Sequence, residues 1–222
     1  MAEFYLVRHG QASFGSDNYD QLSPMGYQQA TWLGEHFKQQ KVQFDRVVTG
    51  TMLRHDQTAQ NICSGLGLDL EFNQHEGLNE YDFHALVQCY LSMFPQQTPK
   101  AGDGKTVFYK ILKQALTLWA QEKLEGNLPE TFAHFKQRVA DALAYTQDTP
   151  KKRTLVVSSG GPIGMAMCHI LQLNNEKMIQ LNLQIKNTSY SQFYFRESIS
   201  LASFNNTAHL EKENREGAIT FG

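Results

Sequence analysis

Phe4-Tyr5-Leu6-Val7-Arg8-His9-Gly10 is a short apolar, β-prone run that breaks directly into charge and then into glycine. It reads as a buried first strand, and the polar loop that follows carries Gly10, Gly15 and Asp17. A glycine directly after a histidine lets the backbone turn sharply and leaves the imidazole face open to a ligand. The arginine before it offers a planar fork of donors that matches phosphate oxygens. An imidazole whose reacting nitrogen is unprotonated can attack phosphorus while a backbone carbonyl holds the other nitrogen. Arg8-His9-Gly10 is therefore a candidate phosphate pocket with His9 as its nucleophile.

Working outward, Ser23-Pro24 starts a helix, since serine caps and proline suits the first helical position. Ala30, Leu33 and Phe37 give that helix one apolar face. Arg46-Val47-Val48 reads as a second strand, Thr49-Gly50-Thr51 as a loop, Leu53 to Cys63 as a helix, and Leu68 to Phe72 as a third strand. Residues 84–129 read as a mostly helical insertion, broken at Pro95 to Gly104 and at Gly126 to Pro129. A core helix is predicted from Glu130 to Tyr145 and a clean strand from Thr154 to Val157. Ser158-Ser159-Gly160-Gly161-Pro162 then turns into another helix. Gln192 to Phe195 and Ile199 to Phe204 read as two late strands, and the tail after Asn205 as polar and weakly ordered at its end. Strands alternating with helices predict one α/β domain over 1–222, with three α/β/α layers and a mostly parallel sheet. Ligands in such folds bind at the carboxyl ends of strands. The polar, glycine-bearing junctions at Arg8-His9-Gly10 and Ser158-Ser159-Gly160-Gly161 are the two that fit.

The chain has 222 residues, 41% hydrophobic and 19% charged, enough to bury one sizeable core. Its formal net charge of −2 supplies no basic field to hold nucleic acid or an anionic membrane. A small anionic substrate must then be held by a few local cations. Three widely spaced cysteines, Cys63, Cys89 and Cys168, fit reduced thiols. No apolar stretch approaches the roughly 18 residues of a membrane span, and the N-terminus lacks a basic leader, so a cytoplasmic protein is the expectation. No metal-ligand spacing is visible, and neither metal nor organic cofactor is expected. No signature of oligomeric state stands apart from core periodicity.

Five segments occur in one order: LVRHGQAS from Leu6, LSPMGYQQA from Leu22, TGTMLRHDQTA from Thr49, LNEYDF from Leu78 and VVSSGGPI from Val156. Together they resemble the pattern LVRHGE, LTPLGRQQA, SSPLRAxQTA, LxE and VSHGG of the histidine phosphatase (phosphoglycerate mutase-like) superfamily. The resemblance implies that His9 becomes phosphorylated, that Arg8 and Arg54 clamp the phosphoryl group, and that Glu80 protonates the leaving oxygen. Each role is physically sensible, because phosphoryl transfer depends on positioning and positive charge, and a leaving alkoxide needs a proton. Glu76, Glu80 and Asp82 are clustered, and only the LxE-like register selects Glu80. Gln11 stands where relatives carry Glu or Gln, so it is a candidate lining residue. Ser159 and Gly160 are candidates to face the phosphate, and the amides of Gly160 and Gly161 could serve it. Gln57 and Thr58 read as serving their helix.

The pattern breaks at position 159, where the family has a second histidine and this chain has serine. A hydroxyl donates one hydrogen bond but carries no charge. Losing a charge-assisted donor at the transition state costs on the order of 3 kcal/mol, or about a hundredfold in rate. His55 and His84 lie close in sequence to other site residues, but both read as ordinary polar positions. Relatives often have an asparagine six places after the histidine, where this chain has Gly15. The expected function is a metal-independent phosphatase of a small phosphomonoester. A phosphoglycerate mutase and a low-activity relative that binds a phosphorylated ligand are the alternatives.

Overall fold

The computed structural model describes residues 2–13, 20–100, 102–149 and 152–221. The expectation attached to Gly15 falls outside these residues. A six-stranded sheet carries strands β1 (Ala2–Arg8), β2 (Arg46–Thr49), β3 (Phe72–Gln74), β4 (Arg153–Ser158), β5 (Tyr190–Phe195) and β6 (Ile199–Asn206) in the order β3-β2-β4-β1-β5-β6. β3, β2, β4 and β1 pair in parallel, while β5 runs antiparallel to β1 and forms a hairpin with β6. The sheet is mixed and mostly parallel, as the strand–helix alternation predicts.

Strand periodicity builds the layers. Successive side chains point to opposite faces, so β1 sends Tyr5 and Val7 one way and Phe4 and Leu6 the other. Tyr5 and Val7 join Val47, Leu155 and Val157 against helices α1 (Pro24–Gln39) and α2 (Leu53–Leu66). Phe4 and Leu6 join Val48 and Val156 on the other face. There they pack with α3 (Phe83–Met93), α4 (Lys105–Ala120), α5 (Phe132–Gln147), α6 (Gly160–Leu171) and α7 (Asn175–Asn182). The Ser23 hydroxyl accepts from the Gly26 amide and Pro24 takes the first helical position, which sets the start of α1.

Several boundaries differ from expectation. The third strand lies at Phe72–Gln74, and Leu68 and Leu70 instead pack against the α1/α2 core from the loop. The core helix starts at Phe132, because Thr131 caps it and Glu130 is drawn aside into an ion pair with Arg138. Helix α7 has no counterpart in the expected elements. The segment after Asn205 is tied down: His209, Leu210 and Ala218 are buried. The Gln29 side chain donates to Ala218 O and Thr220 Oγ1, and the Asn187 amide donates to Thr220 O. Backbone partners supplied from distant elements override the polar composition of that tail.

Candidate active site

β1 and β4 pair in register with Arg8 opposite Ser158, so the two glycine-bearing junctions emerge side by side at their carboxyl ends. The His9 amide donates to Ser158 O across this pair. The loop after β1 is held from three directions. Thr58 Oγ1 accepts from the Gly10 amide, Asn187 Nδ2 donates to His9 O, and Gln29 Oε1 accepts from the Gln11 amide. The Gln57 carboxamide accepts from the Leu22 amide. Gln57 and Thr58 thus fix the neighbouring loops as well as sitting on α2. The sequence held this signal in the QTA of the motif, but a partner 48 positions away is visible only in three dimensions.

His9 is 5% exposed, and its Nδ1 lies 2.7 Å from Gly10 O. A carbonyl only accepts, so the proton sits on Nδ1 and the Nε2 lone pair is left for reaction. Arg54 Nε donates to that Nε2 at 3.3 Å. Burial, with the charges of Arg54 and Arg8 and the nearby His55, holds the imidazole well below the ordinary histidine range. His9 is therefore neutral at physiological pH, the state a nucleophile needs.

Arg54 occupies the first turn of α2 and is buried, with Nη1 2.6 Å from Asp20 Oδ1. The other Asp20 oxygen accepts from the Leu53 amide, so this carboxylate takes up a helix N-terminal donor as well. Arg8 reaches across the end of the sheet and donates through Nη1 to Phe221 O at 2.6 Å and to Ile185 O.

Glu80 separates from its acidic neighbours by position. Glu76 is exposed, and Asp82 caps α3 by accepting from the Ala85 amide. Of the three, Glu80 alone lines the cavity that holds His9, Arg8 and Arg54. Arg138, braced by Glu130, donates to Gly77 O and Asn79 O and so anchors the segment leading to it. Enclosure raises the Glu80 carboxyl above the ordinary range, against the pull of the Gly161 amide, Arg54 and Arg8. A Cβ at Gly161 would lie 2.2 Å from Glu80 Oε1, so glycine is required for this approach. The Gly161 amide donates to Glu80 Oε2 at 3.2 Å and does not stand open for a phosphate, contrary to the sequence expectation.

The remaining candidates divide. Gln11 lines the cavity, and its Oε1 accepts from Ser23 Oγ. Gly160 opens α6 beside Asn182, a cavity residue from α7 that the sequence reading missed. Ser159 is fully buried and bonded to the His55 ring, with Nε2 to Oγ at 2.8 Å. His55 is thus no ordinary polar residue: it is fully buried, with its ring centroid 5.7 Å from that of His9. His84 is exposed on α3 and does not line the cavity. Among the described residues, no three His, Cys, Asp or Glu side chains group as metal ligands, and no helix is long and apolar enough to cross a membrane.

Beyond these groups the cavity, about 850 Å³, has an apolar wall. Phe108, Tyr109 and Leu112 come from the insertion, Phe83 from the residue just before it, and Leu183 and Phe221 from the other side. Tyr90 and Trp119 pack into the core, while Lys100 and Lys110 are exposed and away from the cavity.

Residues 4–207 match the model of the histidine phosphatase superfamily, branch 1. The chain is 26% identical over 184 residues to the mitochondrial serine/threonine-protein phosphatase Pgam5 of Drosophila ananassae, a match covering 80% of this chain and 54% of that protein. It thus spans about half the length of the curated relatives it matches. Its fold is similar to that of phosphoserine phosphatase from Entamoeba histolytica, with a TM-score of 0.67, 24% identity, and coverage of 95% of this chain and 100% of that one. It is also similar to a phosphoglycerate mutase from Bacillus anthracis, with a TM-score of 0.65, 16% identity and coverage of 94% of each chain.

Proposed function

We propose, for a chain that belongs to the histidine phosphatase superfamily, that it hydrolyses a small phosphomonoester through a phosphohistidine at His9. The observation that carries this reading is the His9 imidazole itself. It is neutral, with Nδ1 committed to Gly10 O and Nε2 presented beside Arg54 in a cavity that also holds Arg8 and Glu80. The Nε2 lone pair attacks phosphorus as the ester P–O bond breaks. Arg8 and Arg54 balance charge on the phosphoryl oxygens, and the Glu80 proton passes to the leaving oxygen. Water then attacks the phosphohistidine, its proton returns to Glu80, and orthophosphate leaves.

The apolar wall suits a substrate whose organic part is apolar or aromatic. Mixing the protein with phenyl phosphate and quenching in alkali, which spares phosphohistidine, is expected to leave a phosphoryl group on His9 by mass spectrometry. Glycerol phosphate is expected to label more slowly. Steady turnover with no phosphoryl group on His9 would overturn the reading.

The Glu80 assignment makes its own prediction. Glu80→Gln is expected to slow alkyl phosphate hydrolysis about a hundredfold, and 4-nitrophenyl phosphate hydrolysis far less, because that leaving group needs no proton. A general acid works while protonated, so wild-type activity falls as pH rises through the raised Glu80 pKa. That alkaline limb should vanish in the glutamine variant. Equal losses on both substrates would count against the role.

A further inference from the structure

The cavity that holds His9 is also lined by a polar pair with no part in the chemistry assigned above: Tyr81, which follows Glu80 directly, and Asn182 at the end of α7. The Tyr81 ring is buried, its centroid 5.3 Å from that of Trp119 and 5.6 Å, edge-on, from that of Phe135. That packing fixes the ring and leaves its hydroxyl to find a polar partner. Asn182 Nδ2 supplies one, donating to the hydroxyl at 2.7 Å. The first two residues of α6 seat the pair beside the reacting groups. A Cβ at Gly161 would lie 2.2 Å from Glu80 Oε1 and 2.4 Å from Tyr81 Cε1. A Cβ at Gly160 would lie 2.5 Å from Asn182 Oδ1 and 3.7 Å from Arg8 Nε. Glycine at both positions lets Glu80, Tyr81 and Asn182 close in there, with Arg8 alongside.

Resting on the phosphatase reading above, we infer that Tyr81 and Asn182 bind a hydroxyl or amide group on the organic part of the substrate, close to the ester oxygen. A hydroxyl that accepts from Asn182 keeps its own proton to donate. Asn182 Oδ1 accepts from no described residue, yet it is not sealed in, since Asn182 is half-buried and lines the cavity. The pair thus offers the cavity one donor and one acceptor. Turning the carboxamide over exchanges the two roles and keeps that count. Burial, and then the neighbouring Glu80, raise the Tyr81 phenol well above its ordinary range, so it keeps its proton. An uncharged donor beside an acceptor matches a group that both accepts and donates. A hydroxyl or an amide does so, whereas an ionised phosphoryl oxygen only accepts. Position agrees with chemistry. Glu80 faces the leaving oxygen in the phosphatase reading, and Tyr81 lies against the same glycine as Glu80. The pair therefore meets the organic part just past that oxygen. Farther along, the wall is apolar at Phe83, Phe108, Leu112 and Leu183. A polar group set there would lose its bonds to water without replacing them.

The test compares 2-phenylethyl phosphate with 2-hydroxy-2-phenylethyl phosphate, which share an apolar ring and differ by a hydroxyl. In wild type, kcat/KM for the hydroxy ester is expected to be roughly tenfold the higher. Tyr81→Phe keeps the ring and Asn182→Leu keeps the volume, and in each the ratio is expected to fall to about one. The ratio is the readout, because loosened packing slows both esters alike. The same preference should appear in Kd, measured by calorimetry on His9→Ala, and should disappear when Tyr81→Phe is added to that variant. A wild-type ratio near or below one, or a ratio that persists in either variant, would overturn the inference. If wild type turns over both esters equally and His9→Ala turns over neither, the failure belongs to the pair alone. If the Kd preference holds and depends on Tyr81 while wild type turns over neither ester, the phosphatase reading has failed and the pair stands.

Discussion

His9→Ala is expected to lower kcat on phenyl phosphate by on the order of 10⁴-fold or more, as loss of a covalent nucleophile does elsewhere. Binding should survive the change. Arg8 and Arg54 remain, and neither is held in place by His9 alone: Arg54 keeps its ion pair with Asp20, and Arg8 its backbone carbonyls at Ile185 and Phe221. Inorganic phosphate should still bind by calorimetry, while the alkali-stable phosphoryl label disappears. The fold should hold, because the loop backbone at His9 and Gly10 is pinned by Ser158, Asn187 and Thr58 through main-chain atoms. Loss of rate with retained phosphate binding separates a missing nucleophile from a collapsed site. Equal rates in wild type and variant would end the phosphohistidine mechanism.

Arg54→Leu is the second large effect, with kcat/KM expected to fall roughly a thousandfold. Three losses combine. A buried guanidinium that balances phosphoryl charge is gone. The Asp20 carboxylate, 2.6 Å from Arg54 in wild type, is left without that cation near the incoming anion. The donor to His9 Nε2 disappears as well. The last has a separate signature. Arg54 helps to depress the His9 pKa, so its removal lets that pKa rise toward the ordinary value. The nucleophile must be unprotonated, and the acid limb of kcat/KM should therefore move to higher pH. Arg54→Lys keeps a charge but loses the fork, and should lie between wild type and leucine in rate. An acid limb that stays in place in Arg54→Leu would show that Arg54 does not set the protonation of His9.

The sequence by itself determined the layers and the centre of the site. Period-two alternation in Phe4 to Val7 sends side chains to both faces, and that local rule needs no tertiary information to read. The same strand must end where the apolar run gives way to Arg8-His9-Gly10, so the place of His9 just past the carboxyl end of β1 followed from local sequence. Arg54 was singled out by the resemblance of TGTMLRHDQTA to the family motif, and its place at a helix start after Thr49-Gly50-Thr51 is a local reading.

Tertiary structure decided what depends on partners far apart in the chain. The LxE-like register had singled out Glu80, but only the fold separates it physically, placing it alone of the three in the cavity wall while Asp82 caps α3 and Glu76 is exposed. The tail after Asn205 is polar in sequence, yet Gln29, Asn187 and Arg8 supply the hydrogen bonds that order it. Helix α7, which brings Asn182 to the cavity, left no clear local signal. The fate of position 159 was the largest such decision. Read alone, Ser159 is a lost histidine. Folded, it lies 2.8 Å from a histidine 104 positions earlier in the chain, in a space that Gly50 keeps open. The physical reason is range: strand alternation and helix starts are written in adjacent residues, whereas hydrogen-bond pairing and steric room are properties of whatever the fold brings alongside.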